Sequence, residues 1–173
     1  MTMQEVELKF LDINKEEIEQ KLHAIGAKKV RAAQTRSTYL GREKNYSYTE
    51  GDPVLRIREY DALVSVTHKS RSKIGTVRVA EETEIQVHST YEETITLFIA
   101  LGYHIIKEFY KYRTHYEKQD VSYEIDEQEG IPTLLEIETR SEEEMRTACA
   151  ELGLRMEEGT AEHLGILYPR IFR

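Results

Sequence analysis

The sequence predicts an α+β fold: eight antiparallel strands closed into a barrel with a charged lumen, and helices packed on its outside. Three observations carry this expectation. Short runs along the chain alternate charged and apolar residues with period two, the mark of strands. Three stretches open on helix-capping signals and close on glycine. The order of strands and helices occurs twice, as two βαβββ units followed by C-terminal helices.

"EVELKF" (5–10) is the first strand, with Val6, Leu8 and Phe10 on one face and Glu5, Glu7 and Lys9 on the other. Asn14, three residues before Glu17, opens the first helix as a capping box; Ile18, Leu22 and Ile25 follow at helical spacing, and Gly26 suits a left-handed cap. "RSTY" (36–39), "VLRIRE" (54–59) and "LVSVTHK" (63–69) complete the unit. In them Arg56 and Arg58 alternate with Leu55 and Ile57, and Ser65, Thr67 and Lys69 with Val64 and Val66. "REKNYSYTEG" (42–51) reads as hairpin-like, and Arg78 stands in a loop-like stretch.

The second unit starts at "ETEIQV" (82–87), where Glu82 and Glu84 alternate with Thr83 and Ile85. Ser89 and Glu92 open its helix, Ile95, Phe98 and Ile99 form the apolar stripe, and Gly102 ends it. "RTHY" (113–116), "VSYEID" (121–126) and "TLLEIE" (133–138) match the three strands of the first unit. A third helix runs from Ser141 and Glu144 through Met145, Ala148, Cys149 and Leu152 to Gly153.

Composition narrows the functional classes. A length of 173 residues suits a single domain, 1–173, and 39% hydrophobic content with 11 tyrosines excludes a disordered chain. A formal net charge of −8 argues against non-specific nucleic-acid binding. Cys149 is the sole cysteine, which excludes an intramolecular disulfide and a thiolate zinc site. There is neither a leader-like start nor an apolar run long enough to span a bilayer, so the expectation is a soluble cytoplasmic protein without a membrane partner.

If the helices cover the apolar face, the charged face lines the barrel. Sorted by half, these charges form two walls. Arg56, Arg58 and Lys69 are basic, whereas their counterparts Glu124, Asp126, Glu136 and Glu138 are acidic. Lys111 and Arg113 add base, and Glu5 and Glu7 add acid. Arginine forks match phosphate oxygens, but an acidic wall repels a polyanion unless a cation stands between. Hard oxygen ligands with no Cys or His cluster suit Mg²⁺ or Mn²⁺. The ligand read from the residues is thus a metal-bound polyphosphate.

An ordered set of motifs spans nearly the whole chain: ExExK at 5–9, RxRE at 56–59, Lys69, ExE at 82–84, KxR at 111–113, Asp126, Gly130 and ExE at 136–138. It resembles the signature of the CYTH superfamily, the triphosphate tunnel metalloenzymes, which include class IV adenylyl cyclases, thiamine triphosphatases and inorganic triphosphatases. The resemblance implies that Glu5, Glu7, Glu136 and Glu138 ligate the metal and that Lys9 stands near the scissile phosphate. It implies a triphosphate cradle of Arg56, Arg58, Lys69, Lys111 and Arg113, with Arg78 near a further basic position. Glu82, Glu84 and Asp126 join the substrate site as motif acids, and Tyr39 aligns with a tyrosine that serves with the lysine as a base. The terminal "TAEHLGILYPRIFR" departs from the frequent Ser-Tyr element of relatives, and relatives often form homodimers.

The first functional expectation is a metal-dependent hydrolase of small triphosphates, inorganic tripolyphosphate or thiamine triphosphate. The alternative is a class IV adenylyl cyclase making cyclic AMP and pyrophosphate; a third is a non-catalytic polyphosphate-binding module. His68 is expected on the apolar side, in core or at the surface, His163 over one tunnel mouth, and Cys149 in the core.

Overall fold

A computed structural model describes residues 3–43, 54–74 and 77–172. Eight strands are β1 (Met3–Leu11), β2 (Lys28–Gly41), β3 (Val54–Tyr60), β4 (Leu63–Ile74), β5 (Val77–Val87), β6 (His104–Lys118), β7 (Val121–Gln128) and β8 (Ile131–Thr139). All neighbours pair antiparallel, and the order β1-β5-β4-β3-β2-β6-β7-β8 closes on itself because β1 also pairs with β8. Three longer helices lie outside, α1 (Lys15–Ala24), α2 (Tyr91–Ala100) and α3 (Glu142–Glu151); two short ones, α4 (Leu164–Leu167) and α5 (Pro169–Phe172), follow. The two βαβββ units are therefore β1-α1-β2-β3-β4 and β5-α2-β6-β7-β8. Closure leaves the sheet with no free edge along its length.

The caps follow the sequence in two helices of three. Asn14 Oδ1 accepts from Glu17 N–H at 3.0 Å, and Ser141 Oγ from Glu144 N–H at 3.2 Å. In α2 the box sits one residue later than expected. Thr90, not Ser89, accepts from the backbone of Glu93, whose carboxylate returns to Thr90 N–H at 3.1 Å. The stripe moves with it: Tyr91 and Thr94 are buried with Ile95 and Phe98 packed beside them, while Ile99, rotated a further 100° about the axis, is 49% exposed. Gly26, Gly102 and Gly153 end their helices at φ 81°, 88° and 67°, and Gly130 turns β7 into β8 at φ 78°.

The core lies between barrel and helices. Leu8, Phe10, Tyr123, Ile125, Leu135 and Ile137 point out of β1, β7 and β8 onto Ile18 and Leu22 of α1 and onto Met145, Ala148 and Cys149 of α3. A second cluster joins Leu40, Ile57, Val64 and Val66 to Tyr91. Burial is worth about 1.5–3 kcal/mol for each such large side chain, so the apolar residues are committed to the outer face. By alternation, their charged neighbours must then face the lumen. His68 is exposed.

One strand corrects the sequence reading. Arg78, expected in a loop, belongs to β5 and stands opposite Glu7 in the β1 ladder; its side chain lies outside the described residues. Only Arg42 and Glu43 of the hairpin-like stretch 42–51 fall among the described residues. The strand order also gives the two walls a position. With eight staves, β3 stands across from β8 and β4 across from β7, so Arg56, Arg58 and Lys69 face Glu124, Asp126, Glu136 and Glu138 over the lumen.

Candidate active site

The lumen is a cavity of about 440 Å³, and residues of all eight strands line it together with His163 and Leu164. On the β1 side the charges are paired. Lys9 Nζ contacts Glu7 and lies 2.9 Å from Glu136. Lys69 Nζ reaches Glu5 at 2.7 Å, Glu7 at 3.1 Å and Glu82 at 3.1 Å. Lys69, grouped by sequence with the basic wall, is thus bound into the carboxylates of β1 and β5. Burial works against the Lys69 ammonium, but Glu7 and Glu5 outweigh it and hold its pKa above the usual value.

On the β6–β7 side Arg113 is bidentate to Asp126, with Nε–Oδ1 and Nη2–Oδ2 both 2.7 Å, and its Nη2 lies 3.1 Å from Glu136. Arg113 also contacts Glu124, and Lys111 contacts Oδ2 of Asp126. Burial opposes ionisation of Asp126, yet Arg113 and Lys111 hold its carboxyl well below the usual range. Lys9, with Arg113 and Lys111, likewise overcomes burial and the Glu7 charge to hold Glu136 at about 2. Buried charges of this density are tolerated because each has a close partner.

Two arginines of β3 are held more loosely. Arg56 Nη2 stands 3.7 Å from Glu84 and 3.9 Å from Glu82, and donates to Thr67 at 3.3 Å; Thr67 in turn donates to Glu84 at 2.6 Å. Arg58 has no carboxylate within ion-pair distance among the described residues, and its buried Nε lacks a hydrogen-bond partner there. Burial, then repulsion from Arg56 and Arg113, lowers its pKa.

The acids gather into two groups. Glu5, Glu7 and Glu138 each bring a carboxylate oxygen within 4.8 Å of the others, and Glu124, Glu136 and Glu138 do the same. Burial and the surrounding carboxylates, Glu5 first, raise the Glu138 pKa well above its usual value. Glu5 is also raised, by burial with help from Glu82 and Glu7 and against the pull of Lys69 and of Glu138 as hydrogen-bond partner. Carboxyl groups whose pKa values are raised by burial and by one another form a donor set suited to a hard divalent cation, which would compete with protons for them.

The CYTH domain family matches residues 3–161 of this chain. The chain belongs to the CYTH family. Within it, a Methanocaldococcus jannaschii protein provisionally named an adenylate cyclase is 29% identical over 137 residues, 79% of this chain and 77% of the relative. The PH1012 protein of Pyrococcus horikoshii superposes with a TM-score of 0.74 at 23% identity, covering 92% of this chain and 96% of its own. HpAC1 of Hippeastrum, provisionally an adenylyl cyclase and described by a dominant triphosphatase activity, superposes at 0.59 with 19% identity, over 98% and 95% of the two chains. CYTH enzymes act on triphosphates and depend on metal, and this CYTH barrel holds carboxylates able to bind one.

The CYTH tunnel brings together Glu5, Glu7, Lys9, Tyr39, Arg56, Arg58, Lys69, Glu82, Glu84, Lys111, Arg113, Glu136 and Glu138. Tyr39 stacks edge-on against Phe109 with ring centroids 5.2 Å apart. Of the expected ligands Glu5, Glu7, Glu136 and Glu138, the first two group with Glu138, and Glu136 groups with Glu138 and Glu124. Glu124 was legible as a lumen residue from the alternation in "VSYEID", but spacing alone did not single it out. Among the described residues no helix is long and apolar enough to cross a membrane.

Proposed function

We propose that this chain is a metal-dependent phosphohydrolase that cleaves a small triphosphate, inorganic tripolyphosphate or thiamine triphosphate, inside the barrel. Arg58 carries the reading. A half-buried arginine with a buried, unpartnered Nε, beside a loosely held Arg56, calls for an anion with several oxygens. Arg56 and Arg58 would grip the phosphate chain, with Arg78 as a further base. Glu82 and Glu84 orient Lys69 and Arg56, and Asp126 orients Lys111 and Arg113, so that the donors are fixed before substrate arrives. Lys9, set between Glu7 and Glu136, stands where a proton or a developing charge at the leaving oxygen can be met, and Tyr39 is the second proton-handling group of the lining.

Glu5, Glu7 and Glu138, with Glu136 and Glu124 beyond, would hold Mg²⁺ or Mn²⁺. Bound there, such an ion supplies Lewis acidity on a phosphoryl oxygen. The Hippeastrum protein supports hydrolysis by analogy of fold, and the Methanocaldococcus relative keeps the cyclase as the competing reading. A panel of tripolyphosphate, thiamine triphosphate and ATP, with Mg²⁺ and Mn²⁺, separates them. Phosphate release from tripolyphosphate is expected to exceed any reaction of ATP at least about tenfold in kcat/KM, roughly 1.4 kcal/mol of barrier. Abundant cyclic AMP with poor tripolyphosphate hydrolysis would reverse the choice.

A further inference from the structure

Three side chains stand on one rung across neighbouring strands. Arg56 of β3 lies opposite Thr67 of β4, and Thr67 lies opposite Glu84 of β5. Arg56 and Glu84 are thus two strand spacings apart, roughly 9–10 Å at the backbone, and their long side chains meet above the short one between them. They do not close. Arg56 Nη2 stops 3.7 Å from Glu84 Oε2, outside hydrogen-bond range. A guanidinium and a carboxylate with room to approach settle at about 2.8 Å.

The Thr67 hydroxyl engages both partners. It donates to Glu84 Oε2 at 2.6 Å and accepts from Arg56 Nη2 at 3.3 Å. These directions are fixed, because a guanidinium has no acceptor and the single hydroxyl proton must go to the carboxylate. Thr67 is buried, and as a β-branched residue it has few rotamers in which to place that hydroxyl. The outcome is an arginine held by one nitrogen. Among the described residues Nη2 alone makes a hydrogen bond or ion pair, and the buried Nε has no partner. On the next rung Arg58 lies opposite Ser65, and Ser65 opposite Gln86, so there is no carboxylate to hold off.

We propose that Thr67 is a positioning residue of the phosphate cradle. By giving its proton to one oxygen of Glu84, it keeps that carboxylate from closing on Arg56 and leaves the other guanidinium donors to the phosphoryl oxygens. The assignment rests on the triphosphate reading above. It explains how an acid can stand beside an anion-binding arginine: Glu84 steers Arg56 through the hydroxyl without neutralising it by contact.

The variants T67V, T67S, E84Q and the double variant T67V/E84Q test it in the full chain. Tripolyphosphate binding is measured by calorimetry with divalent metal chelated, and KM, kcat and Tm alongside. Valine keeps the branched shape without the hydroxyl, so Glu84 is free to close on Arg56. T67V is expected to bind at least about fivefold more weakly and to raise KM by a like factor, with kcat within about twofold and Tm no lower than wild type. T67S keeps the hydroxyl and loses a buried methyl, so it is expected to bind within about twofold of wild type while melting lower. E84Q removes the charge that would capture Arg56, so adding T67V to it is expected to change binding by less than about twofold. Wild-type binding by T67V, a loss in T67S equal to that in T67V, or a loss as large in the E84Q background as in wild type overturns the assignment and leaves the triphosphate reading standing. Failure of the wild-type protein itself to bind tripolyphosphate overturns both.

Discussion

Glu138→Gln should make the metal-free protein more stable while disabling it. Glu138 stands in both carboxylate groups, its ligand oxygens within 4.8 Å of those of Glu5, Glu7, Glu124 and Glu136. At that separation and an effective dielectric constant of 20, each pair of charges repels by about 3.5 kcal/mol. A proton on Glu138, whose pKa burial and these charges raise, relieves much of this and can be donated to Glu5. The unfolded chain holds no such proton at neutral pH, so the raised pKa subtracts from stability there. Glutamine reproduces the protonated shape and can still donate to Glu5, without that penalty. Allowing for the offset from Lys69, we expect a gain of about 1–3 kcal/mol, or a Tm higher by about 2–10 °C, by thermal unfolding in chelator. Saturating Mg²⁺ or Mn²⁺ should reverse the ranking. Wild type gains about 2.7 kcal/mol at a hundredfold excess over Kd, and the variant gains less than about half of that. A variant Tm lower than wild type by more than about 2 °C in chelator, or an equal response to metal, would refute the reasoning: Glu138 would then be an ionised, well-paired carboxylate.

Arg58→Ala should weaken tripolyphosphate binding by about 1.5–3 kcal/mol while raising metal-free Tm, because it removes a cation repelled by Arg56 and Arg113; calorimetry and melting curves check both. The metal-free protein should be most stable near about pH 5. Above this, the raised Glu138 and Glu5 carboxyls cost stability, because the unfolded chain releases their protons at lower pH than the folded protein does. Below about pH 4, the stability given by the depressed Asp126 and Glu136 is lost as pH falls through their folded values; denaturant melts across pH test this, and a plateau from 5 to 8 contradicts it. Ala62→Gly should stabilise by about 0.5–1 kcal/mol, since Ala62 holds φ 61° in the two-residue turn between β3 and β4, where glycine fits better; an unchanged denaturation midpoint would count against it.

The barrel was legible because its code is local. Period-two alternation marks a strand wherever it occurs, and the apolar half of each alternation can only face helices if the charged half faces inward. The repeat then supplied strand number and order of units. The site was legible as a set of lumen charges, but not as pairs. Whether Lys69 sits with Arg56 or with Glu5 depends on β4 and β1 each flanking β5, a fact of barrel closure that no spacing records. Glu124 was hidden for the same reason. The one-residue shift of the α2 cap reflects competition between adjacent Ser89 and Thr90, decided by which lets Tyr91 reach Thr38 under the helix. The pairing of Thr160 with Lys9 could not be read at all, since "GTAEH" carries no strand pattern.

The place of β1 in the strand order has a consequence for how this chain is born. β1 bonds to β5 on one side and to β8 on the other, and to none of the strands that follow it in its own unit. During synthesis it leaves the ribosome before both of its partners, and it has nothing to pair with until much of the chain has followed. Its apolar face, Val6, Leu8 and Phe10, and both of its backbone edges wait in the open meanwhile. Pairings this distant along the chain form slowly, because the intervening loop must be closed before any contact repays it. The alternating charges of Glu5, Glu7 and Lys9 then have a second use before any ligand is met: they keep an unpaired strand soluble while it waits.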